Sequence, residues 1–252
     1  MGLEGRHALV TGGGTGIGLA IARALAGAGA EVTITGRRRE VLEAAAEGAP
    51  RLHPMAMDVS EEEEVVRGVA DAVAARGPVT IAVANAGIAE GRSLANTGLD
   101  FWRRTMAVNL DGAFLTIREC LPGMREAGWG RVIAVSSIAG VKGLKGAPAY
   151  TASKHGLVGL IRGLSEDLLG SGITCNALCP GYVETEIVSR NVASISARAG
   201  VSEAEALGLM VSANRHGRLI AREEVAAAAI WLCLPGSESV NGQAIEIAGG
   251  QV

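Results

Sequence analysis

Tyr150 and Lys154 stand four residues apart, and Ser137 lies thirteen residues upstream of the tyrosine. In a helix, a separation of four puts two side chains one turn apart on a single face. A free phenol has a pKa of about 10 and exchanges protons poorly near neutrality. An ammonium one turn away stabilises the phenolate and brings acid/base chemistry within reach. A Tyr-x-x-x-Lys pattern also occurs on ordinary amphipathic helix surfaces, so the pair gains meaning only from its surroundings.

The elements that must position such a group begin near residue 7. His7 to Val10 reads as a strand leading into Thr11-Gly12-Gly13-Gly14-Thr15-Gly16-Ile17-Gly18, and the good helix formers of Leu19 to Ala28 follow. A strand, glycine turn and helix in that order let backbone amides approach a pyrophosphate, while the helix N-terminus offers it partial positive charge. The spacing Gly12-x-x-x-Gly16-x-Gly18 departs from the six-residue dinucleotide fingerprint.

Strand-like runs are predicted at His7 to Thr11, Glu31 to Thr35, Arg51 to Met57, Val79 to Ala84, Arg131 to Ser136, Thr174 to Cys179 and Ala244 to Ile247. Helices are predicted near 17–28, 38–47, 61–76, 100–127, 149–170 and 222–233. This alternation is that of an α/β protein with a parallel sheet covered on both faces. Ser60 and Glu63 have capping-box spacing, which makes the Glu61 to Glu64 run the first turn of a solvated helix and not an acidic binding tract. The stripe Trp102, Met106, Leu110 and Phe114 reads as a core or subunit-contact face.

Thr11 to Gly18, Asn85-Ala86-Gly87, Asn109, Ser137, Tyr150, Lys154 and Pro180-Gly181 occur in the order and spacing of the short-chain dehydrogenase/reductase family. The chain resembles the single-domain branch of that family, similar to 3-oxoacyl-(acyl carrier protein) reductases and 3-hydroxyacyl dehydrogenases. The resemblance covers nearly the whole chain. It implies a Rossmann-type, doubly wound, seven-stranded and mostly parallel sheet in one domain over 1–252. It also implies an oxidoreductase of the EC 1.1.1.- class, interconverting a ketone, with the 3-oxoacyl type among the candidates, and a secondary alcohol. An NAD-dependent secondary alcohol or 3-hydroxyacyl dehydrogenase, or a binding protein that senses the dinucleotide, stays open as an alternative.

By the same resemblance, Tyr150 is the general acid in reduction and base in oxidation, Lys154 lowers its pKa and holds the nicotinamide ribose, and Ser137 binds the substrate oxygen. Asn109 holds a water linking Lys154 to solvent, or is a helical polar residue satisfied by backbone. Gly12, Thr15, Gly16 and Ile17 form the phosphate turn. Asp58 and Val59 meet the adenine, though Asp58 could instead cap the next helix. Asn85, Ala86 and Gly87 run beside the adenosine ribose, and Pro180, Gly181, Val183 and Thr185 flank the nicotinamide.

Gly36 stands where NAD-using relatives carry Asp, and Arg37 follows it with a donor fork suited to a phosphate dianion. The expected cofactor is therefore NADP(H), with NAD(H) as the alternative. Residues 184–215 mix apolar Ile187, Val188, Ile195, Leu207, Leu209 and Met210 with Arg190, Arg198 and Arg215, as a lid over substrate does. Lys142 and Lys145 are either solvated or read an anionic acyl substrate.

The 252 residues carry 23 basic and 26 acidic side chains, a net charge of −3, which gives no general attraction to nucleic acid. Cys120, Cys175, Cys179 and Cys233 form no Cys-x-x-Cys pair and read as free buried thiols in a reducing compartment. His7, His53, His155 and His216 lack ligand spacing, so no metal is expected. The N-terminal residues lack a secretory pattern, and Val225 to Leu234 is far shorter than the roughly 20 residues that span a bilayer. A cytoplasmic protein acting on a small molecule is expected, and the resemblance implies a homotetramer.

Overall fold

Residues 2–186, 188, 189, 192, 193, 196 and 200–251 are described by the computed structural model. Seven strands form one sheet: β1 His7–Thr11, β2 Glu31–Gly36, β3 Leu52–Ala56, β4 Val79–Ala84, β5 Gly130–Val135, β6 Ile173–Pro180 and β7 Ala244–Ile247. Their order across the sheet is β3-β2-β1-β4-β5-β6-β7, and every pairing is parallel. Three strands have the bounds expected from their Val, Ile and Ala runs, and the other four differ at one or both ends.

Helices cover both faces: α1 Gly16–Gly27, α2 Arg39–Ala46, α3 Glu62–Arg76, α4 Leu99–Met106, α5 Gly112–Ala127, α6 Pro148–Asp167, α7 Glu203–Ala213 and α8 Arg222–Trp231. The single helix expected over 100–127 is two helices joined by a π-helical turn, Ala107–Asp111. Helix α7 was not expected. Its start carries a capping box in which Ser202 Oγ accepts from the Glu205 amide at 3.2 Å and Glu205 Oε2 accepts from the Ser202 amide at 2.8 Å. The box expected at Ser60 and Glu63 does not form. Glu61 is the N-cap of α3, and the Ser60 hydroxyl donates to Asp58 Oδ1 at 2.7 Å.

Burial on both faces explains the near-continuous apolar strands. In β1, Ala8 and Val10 point into a core shared with α1, α2 and α8, while Leu9 points into a second core with α3, α5 and α6. Leu9, Ile21, Ile34, Ile81, Ile133 and Ile161 are fully buried, each contributing about 1.5–3 kcal/mol relative to an exposed position. A third, small cluster of Val188, Val192, Ala206 and Met210 lies apart from the sheet. Because β1 sits between β2 and β4, the chain reverses its winding there and a cleft opens at the carboxyl ends of those strands. Among the described residues no helix is long and apolar enough to cross a membrane.

Candidate functional site

Two adjoining cavities of about 540 and 200 Å³ fill that cleft, and Gly12, Thr15, Ala86, Gly87 and Ile88 border both. The glycine turn between β1 and α1 forms their floor. Gly16 opens α1 with φ of +55°, a left-handed value that disfavours any side chain, and a Cβ on Gly18 would collide with the Gly12 carbonyl. Asn85, just past β4, donates from Nδ2 to the carbonyls of Thr11 at 2.9 Å and Gly12 at 3.2 Å. The Thr11 hydroxyl accepts from the Asn85 and Ala86 amides at 3.0 Å each, so β4 and the turn form one rigid cradle. A cradle without side chains, opening a 12-residue helix, fits a pyrophosphate.

Gly36, Arg37, Arg38, Asp58 and Val59 line the smaller cavity with the turn. The Arg37 side chain is 72% exposed, with Nη1 4.0 Å from Asp58 Oδ2. Its fork is therefore only loosely held and fits a phosphate at the carboxyl end of β2. Arg39 instead begins α2 and pairs with Glu43 at 3.8 Å. Asp58 holds the chain before α3 by accepting from Ser60.

The larger cavity gathers Ser137, Tyr150 and Lys154 with Ile17, Asn85, Pro180, Gly181, Val183 and Thr185. Ser137 follows β5 and accepts from the Ala139 amide at 3.1 Å. Pro148 starts α6, which places Tyr150 and Lys154 one turn apart. Lys154 is buried, its Nζ donating to the Val135 carbonyl at 2.9 Å and lying 5.9 Å from the centre of the Tyr150 ring. Burial lowers its pKa from 10.5 to about 8, partly opposed by the Cys179 thiol.

The electrostatics of Tyr150 differ from the sequence expectation. Burial raises its pKa above 10, a hydrogen bond from Ser137 pulls it back, and the nearby Tyr182 and Cys179 add to the rise. Spacing alone could not show that both members of the pair would be desolvated, nor that the ammonium would bond to a strand carbonyl. Asn109 lines neither cavity. It sits in the π-helical turn, where Oδ1 accepts from the Ile88 amide at 2.8 Å, and Nδ2 donates to Ile88 O and Ser153 Oγ at 3.0 Å each. Both ends of its amide are bound, to the Ile88 backbone and to Ser153 Oγ, so the alternative of a satisfied helical polar residue describes most of its contacts.

Tyr182, Val188 and Met210 complete the cavity wall, and of these Tyr182 was missed although it stands between two expected residues. Ser136 was also missed. Its hydroxyl donates to the Lys154 carbonyl at 3.1 Å, which fixes α6 against β5. Lys142 turns away from the cavity and donates to the Gln251 carbonyl at 2.7 Å, whereas Lys145 lines the cavity. In the expected lid, Ile187, Arg190, Ile195 and Arg198 lie outside the described residues. All four cysteines are buried and free. Among the described residues, no three His, Cys, Asp or Glu side chains converge as a metal site would need.

Residues 6–195 match the family model for short chain dehydrogenases. An acetoacetyl-CoA reductase of Rhizobium meliloti is 35% identical over 194 residues, spanning 77% of this chain and 76% of that protein. A D-beta-hydroxybutyrate dehydrogenase of the same organism is 32% identical over 199 residues, 79% of this chain and 76% of that one. Among solved structures, a variant of actinorhodin polyketide ketoreductase with NADPH superimposes with a TM-score of 0.94 at 35% identity, over 98% of this chain and 97% of that one.

Proposed function

The chain belongs to the short-chain dehydrogenase family, and from that premise we propose that it interconverts a ketone of 3-oxoacyl type and a secondary alcohol using NADP(H), a CH–OH oxidoreductase of the EC 1.1.1.- class. One observation carries the reading: Ser137, Tyr150 and Lys154 line the same cavity as the glycine turn and Pro180-Gly181. The glycine turn supports placing the pyrophosphate on Gly12, Thr15, Gly16 and Ile17, and the Arg37 guanidinium supports placing a 2′-phosphate beside it. Asp58 and Val59 are assigned to the adenine, Asn85, Ala86 and Gly87 to its ribose, and Pro180, Gly181, Val183 and Thr185 to the nicotinamide.

When bound, the nicotinamide supplies or accepts the hydride at the carbonyl carbon. Tyr150 holds the proton delivered to the ketone oxygen. Ser137, hydrogen-bonded to the Tyr150 hydroxyl, aligns that oxygen and stabilises its growing charge. Lys154, held by the Val135 carbonyl, is assigned to the nicotinamide ribose and, when charged, to stabilising the Tyr150 phenolate. Asn109, bonded to Ser153, is assigned to a water that would link Lys154 to solvent and so return the proton.

The segment 184–215 is assigned as a lid on one domain spanning 1–252, supported by the cluster of Val188, Val192, Ala206 and Met210 beside the cavity. A cytoplasmic homotetramer belongs to the same proposal. Four buried thiols favour a reducing compartment, and the half-buried Trp102, Met106 and Leu110 with exposed Phe114 offer α4 and α5 as a contact face.

The test is turnover of acetoacetyl-CoA, free 3-oxo acids and neutral ketones with NADPH and NADH. Reduction with an NADPH preference is expected, and Tyr150→Phe should lower kcat by about 100-fold or more while leaving NADPH affinity intact. Binding of NADPH without turnover of any ketone would favour the dinucleotide-sensing alternative. A Tyr150→Phe variant retaining more than about a tenth of kcat would remove Tyr150 from its role.

A further inference from the structure

Asn214, the C-cap of α7, is fully buried, and no step of the reaction uses it. Its amide nevertheless commits every donor. Nδ2 donates to the Tyr182 carbonyl at 2.9 Å and to the Arg218 carbonyl at 2.8 Å, and Oδ1 accepts from the Tyr182 amide at 3.2 Å. An amide that engages both backbone groups of one residue imitates a neighbouring strand. The chain extends that imitation: Ile220 donates its amide to the Tyr182 carbonyl at 2.9 Å, and Glu184 donates to the Ile220 carbonyl at 2.9 Å. The packing there is close, since a Cβ on Gly181 would come within 2.7 Å of Asn214 Oδ1.

What this clamp holds is a wall. Tyr182 packs on Val188, Val192, Ala206 and Met210, and Tyr182, Val188 and Met210 all line the larger cavity with Tyr150. The Tyr182 phenol is close enough to disfavour the Tyr150 phenolate. Among the described residues after β6, the segment's path is paired by the isolated Val183 to Ile220 bridge and not by a long strand. Removing the Asn214 amide takes the acceptor from the Tyr182 amide and leaves its carbonyl with the Ile220 amide alone, so the partly buried backbone must shift to regain partners.

We propose that Asn214 is a positioning residue whose amide fixes the Tyr182 backbone, so that the Tyr182 ring forms the cavity wall that sets ketone affinity, with little effect on dinucleotide affinity. The inference rests on reading the larger cavity as the ketone site.

The experiment measures ketone KM and kcat, and NADPH Kd by fluorescence titration, for the wild type, Asn214→Ala, Tyr182→Ala and the double variant, with ethyl acetoacetate and acetoacetyl-CoA as probes. Asn214→Ala should raise ketone KM about tenfold while kcat and NADPH Kd change by less than about threefold. In the Tyr182→Ala background the same change should raise ketone KM by less than about twofold, since the wall it holds is gone. Full additivity, an equal rise in NADPH Kd, or a loss confined to kcat would overturn the proposal.

Asn214→Asp gives a second reading should the alanine variant fold poorly. Its carboxylate faces the carbonyls of Tyr182 and Arg218, and protonation restores one donor. Its ketone KM relative to wild type should therefore fall as pH is lowered, and a pH-independent ratio would count against the clamp. Absence of wild-type ketone turnover would instead overturn the functional reading itself.

Discussion

Lys154→Met should stabilise the free protein near neutral pH and destabilise it in alkali, while abolishing turnover. The lysine is buried and its pKa falls from 10.5 to about 8. At 1.36 kcal/mol per pKa unit, holding it charged at pH 7 costs about 3 kcal/mol. The folded pKa lies below the unfolded one, so the cost is full below pH 8, shrinks between about 8 and 10.5, and is gone above 10.5. Methionine fills a similar volume without charge, but it orphans the Val135 carbonyl, which accepts from Nζ at 2.9 Å. Losing that bond costs about 1–3 kcal/mol at any pH. The balance is about 1 kcal/mol in favour of the variant at pH 7 and about 1–3 kcal/mol against it above pH 10.5. For a chain of this size 1 kcal/mol moves Tm by about 2–4 °C. Calorimetric Tm values of both proteins from pH 6 to 10.5, at equal concentration, read the crossover. A difference in Tm that does not change across that range would refute the argument, because it would mean that burial does not tax the ammonium.

Other outcomes follow from single side chains. Arg37→Ala should lower the ratio of kcat/KM for NADPH over NADH about tenfold, at the low end for a charge-assisted bond because the guanidinium is largely exposed; an unchanged ratio would remove it as the phosphate ligand. His7 is buried, bonded to Gly77 O at 2.8 Å and Thr33 Oγ1 at 2.9 Å, and burial lowers its pKa below 6.5. Its contribution to stability is thus present above pH 6.5 and lost as pH falls through the lower folded value, so urea midpoints should drop more steeply below pH 6.5 for wild type than for His7→Asn. Parallel pH curves for the two proteins would contradict that role.

Much of this architecture is legible in the residues themselves. Val79 to Ala84 is buried along its whole length, and a run buried on both sides must be apolar throughout, which is what marks it in the sequence. The glycine turn is equally visible because its backbone tolerates no Cβ at Gly18. Helix α7 escaped notice although Ser202 and Glu205 carry a capping signal, since the surrounding mixture of Leu and Arg reads as a lid of no fixed form. The clamp between Asn214 and Tyr182 joins residues 32 positions apart, and local pattern holds no trace of such a contact. The π-helical turn was hidden for a related reason: widening a helix by one residue leaves each residue's helical preference unchanged.

That widened turn also limits how the gene can change in length. Upstream of it Phe101 and Thr105 are buried, and downstream Ala113, Thr116 and Ile117 are. Both halves face inward only because of the surplus residue between them. Deleting any one of Ala107 to Asp111 would tighten the turn to a regular one and swing α4 about 100° around its axis, carrying Phe101 toward water and Asn109 off its partners. Indels that a surface loop absorbs without consequence would here unscrew one half of the rod from the other, so the waist of this helix pair should be frozen in length across any lineage that keeps the activity.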